Sequence, residues 1–107
     1  IYLAQALLDI GKPQAVQPLL ENLLSGHPDD TLIYKLLAQA AGNSGNKTQG
    51  HQYLAEYYYH TGALKEALMQ LEIALKDRNI SYYESARMAA RLKEIRQEKK
   101  DLDDRDK

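Results

Sequence analysis

The sequence predicts an all-α chain of about six antiparallel helices, and three observations carry that prediction. Turn-forming residues recur at a fixed step, with Gly11, Pro28, Gly45, Gly62 and Asn79 standing seventeen residues apart. Between these marks apolar residues follow the i, i+3, i+4, i+7 spacing of one helix face, and the alternation of a half-buried strand is missing throughout. Segments this short are marginal helices alone, so they must bury their apolar stripes against one another. With 107 residues and 44% apolar content, the chain supplies one modest core.

Residues 1–10 place Leu3, Ala4 and Leu7 on one face. After Gly11 the stripe is Val16, Leu19, Leu20, Leu23 and Leu24; Pro18 falls inside it, which predicts a kink or a late helix start. Asp29 and Asp30 offer acceptors and negative charge to the next helix N-terminus, whose stripe is Leu32, Ile33, Leu36, Leu37 and Ala40. The helix around 48–61 contains Gly50, which costs about 1 kcal/mol relative to alanine but permits close approach of a neighbour. After Gly62, Leu64, Ala67, Leu68, Leu71 and Leu75 face inward, while Lys65, Glu66, Glu72 and Lys76 face outward with Glu72 and Lys76 at a favourable i,i+4 spacing. "SYYE" at Ser81–Glu84 reads as a capping box that opens a last helix through about Lys99. The "DLDDRDK" tail, 101–107, has one apolar residue and is expected to fray.

Composition excludes several function classes. Fourteen Lys and Arg against fifteen Asp and Glu leave no field that favours nucleic acid. Cysteine is absent, so disulfides, thiolate nucleophiles and cysteine metal sites are ruled out together. No apolar run approaches the ~20 residues that span a bilayer, so membrane insertion is not expected. His27 reads as a solvated turn residue. His60 shares a helix face with Glu56, but two ligands fall short of a zinc site. No activated serine or glycine-rich phosphate loop is visible. The expectation is a non-enzymatic chain with no catalytic residue, metal or cofactor of its own. Because the pattern is already under way at Ile1, we read the chain as part of something longer.

Two seventeen-residue halves make a 34-residue helix-turn-helix unit, the period of the tetratricopeptide repeat. The residue types resemble that family too. Gly11, Val16, Leu20, Leu23 and Pro28 stand where its second helix has turn glycine, alanine, large apolar residue, packing residue and closing proline. Residues 31–64 match through Tyr34, Leu37, Ala38, Gly45, Gly50 and Leu54. An overlapping frame, 48–81, matches through Leu54, Ala55, Tyr58, Gly62, Ala67, Leu71 and Ala74. The domain is thus expected to span 1–100, with units of about 1–30 and 31–64, the overlapping frame, and a capping helix at 81–99, stacked as a right-handed α-solenoid.

From Ala55 onward the sequence also resembles the C-terminal repeats of bacterial periplasmic zinc metallopeptidases that act in outer-membrane barrel assembly. The carriers are the Tyr-Tyr opening and the "ARMAARLKEIR" helix, Ala86–Arg96. That resemblance implies a periplasmic location and a parent protease whose zinc lies in an upstream domain, since the H-E-x-x-H helix does not occur here.

A stack of this kind binds protein or extended peptide on its concave face. In the 48–81 frame the inward, non-packing residues are Gln49, Gln52, Tyr53, Glu56, Tyr59 and His60, whose aromatic and amide groups suit polypeptide. Of the three consecutive tyrosines, Tyr58 is expected in the core, Tyr57 wedged on the preceding helix, and Tyr59 toward the groove. A clamp for C-terminal carboxylates is disfavoured, because Lys35 is the only cation near such a position. The alternatives are a scaffold or lid for the parent protease, or an adaptor unrelated to proteolysis. Ile1, Leu3, Leu7 and Leu8 form a face whose exposure would favour self-association.

Overall fold

The computed structural model describes residues 13–106, with side chains from Val16 onward. Five α-helices follow one another, with no strand among the described residues: α1 (Pro13–Gly26), α2 (Thr31–Asn43), α3 (Lys47–His60), α4 (Leu64–Leu75) and α5 (Tyr82–Arg105). Each packs on the next in sequence, which gives an antiparallel stack. The first of the six expected helices, with Gly11 and the self-association face, lies outside the described residues.

The regular punctuation resolves into two kinds of turn. Gly45 and Gly62 sit at φ +88° and +86°, the left-handed region that only glycine enters without strain. Each closes its helix with a pair of backbone bonds: Asn46 N–H donates to the Ala41 carbonyl at 2.9 Å and Gly45 N–H to Gly42 at 3.1 Å. Ala63 and Gly62 repeat the pattern on Tyr58 and Tyr59 at 2.8 and 3.1 Å. At Pro28 and Asn79 a side chain adds to the backbone bonds of the turn. The Asp30 carboxylate accepts from Leu32 N–H at 3.0 Å, and Asp77 accepts from Asn79 N–H at 2.9 Å.

The caps fall largely where the sequence puts them. Ser81 accepts from Glu84 N–H at 3.0 Å and opens α5. Asn46 does the same for α3 through Gln49 N–H. Asp30, rather than Asp29, caps α2.

Three expectations need correction. α1 does not start late: it begins at Pro13 and runs on past Pro18 to Gly26. Pro13 takes its first position, where a missing N–H is harmless. Pro18 is exposed, and its ring deprives only the Gln14 carbonyl of a helical partner. The tail does not fray at residue 101, because α5 continues to Arg105. Gln97 and Asp101, then Lys99 and Asp103, bond at i,i+4 distances of 3.0 and 2.8 Å along this stretch. Glu72, paired with Lys76 by spacing alone, instead reaches Arg96 of α5 at 3.5 Å.

The apolar stripes meet in two clusters. Val16 and Leu20 of α1 pack with Ile33, Leu36, Leu37 and Ala40 of α2, and Leu32 is left 44% exposed at the edge of its helix face. Ala55 of α3, Leu64, Ala67, Leu71 and Ala74 of α4, and Met88 and Ile95 of α5 form the second cluster. α3 joins the two. Its Tyr53 packs on the first cluster, while Ala55, Tyr58 and Tyr59 belong with the second. A helix with neighbours on several sides has no single apolar face, which explains why only Gly50 and Ala55 of α3 are fully buried.

Gly50 faces α2 across a close seam. A Cβ built on it would stand 3.4 Å from the Ala38 carbonyl oxygen and 3.5 Å from Gly42 N. That is ordinary contact for one methyl group and no room for more. Gly50→Ala is therefore expected to leave the fold unchanged or stabilise it by up to about 1 kcal/mol through helix propensity. Gly50→Leu should cost about 1–3 kcal/mol by overpacking, and Gly62→Ala about 1–2 kcal/mol because its φ is positive. Thermal melts of the three variants measure these signs directly.

Candidate functional site

An open groove of about 550 Å³ lies between α3 and α5. One wall comes from α3, where Gln49, Gln52, Tyr53 and Glu56 recur at i, i+3, i+4 and i+7 and so share a face. Tyr34 extends that wall from α2. The opposite wall is α5, through Glu84, Arg87, Met88, Arg91 and Glu94. Leu71 of α4 also borders the groove. A second cleft of about 210 Å³ shares Gln49, Gln52 and Glu84 and carries the groove toward the α4–α5 turn, among Asn46, Thr48, Asp77 and Asn79.

Across the groove, α3 and α5 are tied by one ion pair. Arg91 donates from Nε and Nη2 to the two carboxylate oxygens of Glu56 at 2.8 and 3.0 Å, and from Nη1 to Glu94 at 3.1 Å. Its guanidinium also lies 4.4 Å over the Tyr59 ring. Hydrogen bonding to Glu56, the largest cause, holds Arg91 ionised beyond the usual arginine range, against desolvation. The two side chains are 30% and 24% exposed, so the bidentate geometry is partly shielded from water.

Around this pair the other groups are already spoken for. Tyr59 OH donates to Glu98 at 2.8 Å, a bond that raises its pKa. The His60 ring stacks on Tyr34 at 5.1 Å, with its nitrogens 3.7 Å from Glu56 and 3.9 Å from Asp29. Tyr34 OH donates to the Pro28 carbonyl, and burial raises its pKa. On the α1 side, Gln17 donates to Gln49 at 2.9 Å and Tyr53 OH donates to Glu21 at 3.3 Å. At the turn, Thr48 OH donates to Asp77, whose carboxyl is held below the usual range by that bond and by Asn79 N–H.

The structure thus divides the six residues singled out in the sequence. Gln49, Gln52, Tyr53 and Glu56 lie along the groove. Tyr59 and His60 do not line it; both are used inside the fold, Tyr59 under Arg91 and His60 against Tyr34. Tyr58 is half-buried instead of fully buried, set edge-on to Tyr57 at 5.4 Å and packed on the second cluster. Lys35 is exposed on α2 and is not among the groove residues.

Residues missed by the reading of α3 alone are Gln17 and Glu21 of α1, Tyr34, and the Glu84–Arg87–Arg91–Glu94 face of α5. The last carried a signal, since those four recur at helical spacing. Among the described residues, no group of three or more His, Asp or Glu side chains is placed to hold a metal ion, and no helix is long and apolar enough to cross a membrane.

Residues 1–40 match the family model of the tetratricopeptide repeat. Over that stretch the chain resembles the tetratricopeptide repeat. Its sequence is also 33% identical over 95 residues to the beta-barrel assembly-enhancing protease of Escherichia coli strain K12, and equally to those of Shigella flexneri and Escherichia coli O157:H7. The matched stretch is 89% of this chain and 20% of those proteins, so the chain spans about a fifth of the length of the curated relatives it matches. The groove lies between two helices that stand two apart in the stack.

Two predictions concern the groove's frame. Arg91→Ala should destabilise the repeat domain by about 1–3 kcal/mol, because it leaves the Glu56 carboxylate partly buried and unpaired. Arg91→Lys should recover only part of that loss, since lysine lacks the planar fork. A double-mutant cycle with Glu56→Ala, read by denaturant unfolding, isolates the coupling. Tyr53 titrates at about 12, pushed up first by burial and then by Glu21. Its folded pKa exceeds the unfolded value near 10, so the stability it contributes is present below about pH 10 and lost as pH rises toward 12. Alkaline titration of tyrosinate absorbance in the native chain, compared with Tyr53→Phe, should show that one late-titrating group.

Proposed function

We propose that the α3–α5 groove binds an extended segment of a protein partner, within a periplasmic zinc metallopeptidase that serves outer-membrane protein assembly. The observation that carries the reading is the groove's composition. It is open, and it mixes aromatic surface from Tyr34 and Tyr53 with the amides of Gln49 and Gln52. Such walls supply rigid contact area and hydrogen bonds to a main chain without demanding one side-chain sequence. Gln52 makes no side-chain hydrogen bond among the described residues and lines both cavities, so its amide is available to a ligand.

The location and the parent activity rest on the likeness to the beta-barrel assembly-enhancing proteases. On that reading this chain contributes recognition, and catalysis and zinc belong to another domain. The right-handed solenoid expected of the repeats would place the groove on the inner face of the curve.

A second reading, in which the repeats serve as a scaffold or lid on the protease, is favoured by one feature. Tyr82 and Tyr83 at the start of α5 are 90% and 69% exposed, an aromatic pair suited to docking on another domain. The two readings separate on Gln52→Trp, which fills the groove without touching the aromatic pair. Against an unfolded outer-membrane β-barrel protein immobilised on a sensor, binding should weaken by roughly tenfold or more. The melting temperature should stay within about 3 °C, since a half-exposed site changes little in the core. Unchanged binding by Gln52→Trp would remove the groove from the function.

A further inference from the structure

From the chemistry of its two ends, we infer that the groove selects polypeptide segments carrying a lysine or arginine, and that the cation is received where the groove runs into the α4–α5 turn. This deepens the proposed groove reading and rests on it. The cleft at that end is about 210 Å³, room for a long basic side chain, and opens into the main groove through the shared residues Gln49, Gln52 and Glu84. Its lining contains two carboxylates, Asp77 and Glu84, and no Lys or Arg. Amide and hydroxyl groups from Asn46, Gln52, Asn79 and Thr48 complete it, so the cleft offers oxygen acceptors around a volume that carries negative charge.

Lys47, Lys76 and Arg78 flank its lining residues in sequence, but none of them lines the cleft, and neither do the two arginines of the main groove. Arg91 has its Nε, Nη1 and Nη2 groups committed to Glu56 and Glu94, and its face to Tyr59. Arg87 leans over the Tyr83 ring at 5.7 Å, outside the small cleft. Glu84 is exposed, lines both cavities and makes no side-chain ion pair among the described residues. Asp77 is kept charged by the donors it already accepts from, Thr48 and Asn79, and adds to the field without needing to be the direct partner. An extended chain lying between α3 and α5 therefore meets amides along its length and a negative end where only a cation gains by entering.

The test uses the 107-residue chain labelled with 15N and three synthetic decapeptides of serine and threonine that differ only at two central positions, which are lysine, glutamine or glutamate. Titrations are followed by amide chemical shifts, with the side-chain amides of Asn46, Gln49, Gln52 and Asn79 as reporters. The lysine peptide should bind roughly fivefold tighter than the glutamine peptide, the size of a single exposed charge pair, and the glutamate peptide weakest. That preference should disappear in Glu84→Gln and fade with added salt. Glu84 is exposed and its backbone N–H, not its carboxylate, is what Ser81 caps, so the variant keeps its fold. Equal binding of all three peptides would overturn the cation preference and leave groove binding standing. Preference for the glutamate peptide would overturn it in favour of Arg87 as the reader. No shifts with any peptide would overturn both.

Discussion

The Glu56–Arg91 pair decides where the last helix can lie. α4 and α5 are held together by ordinary apolar packing, in which Met88 and Ile95 fill the second cluster, and such packing tolerates small slides and rotations. Two parallel hydrogen bonds to one carboxylate do not. They fix the rotation of α5 about its own axis relative to α3, and with it the direction in which Glu84, Arg87 and Glu94 point. The same guanidinium caps the Tyr59 ring, and Tyr59 in turn holds Glu98. From Glu56 the chain of contacts runs the other way through His60 and Tyr34 to the turn at Pro28. A cleft bounded by two helices that are not neighbours in sequence keeps its width through these groups.

The division between core and site follows from the same arrangement. Where helices are sequence neighbours, most of the buried contact is made by leucine, isoleucine and alanine, each large side chain contributing about 1.5–3 kcal/mol when fully buried. Where helices are two apart, as α1 with α3 and α3 with α5, polar pairs join the apolar contact: Gln17 with Gln49, Glu21 with Tyr53, Glu56 with Arg91. The stack thus has a greasy interior and a polar face along one edge, and recognition chemistry gathers on that edge.

Much of the fold could be read before any coordinates. The period of the turn residues, the stripes of α1, α2 and α4, and the caps Asp30 and Ser81 are local properties, set within one helix turn of the residues that show them. What escaped was everything that depends on how two helices are rotated against each other. Tyr59 looked free because its own helix gives it no partner; Arg91 and Glu98, more than thirty residues away, supply one. Arg87 and Arg91 stand one turn apart on α5, yet only Arg91 turns into the pair. The charged tail looked too polar to persist, and its spacing of Gln97, Lys99, Asp101 and Asp103 outweighed composition. Leu32, one position off the stripe, shows the limit of counting apolar residues.

α3 has Tyr53 in one apolar cluster and Ala55, two residues later, in the other. Because the helices pack mainly on their sequence neighbours, the chain's contacts are local, and such a stack can open in sections. Amide protons in the two halves should then exchange at different rates. A ligand lying along α3 and α5 would add to the Glu56–Arg91 and Tyr59–Glu98 contacts that already join them, and would stabilise the C-terminal half by binding only the folded form. A groove shared by helices two apart would thus couple its occupancy to the stability of the helix between them.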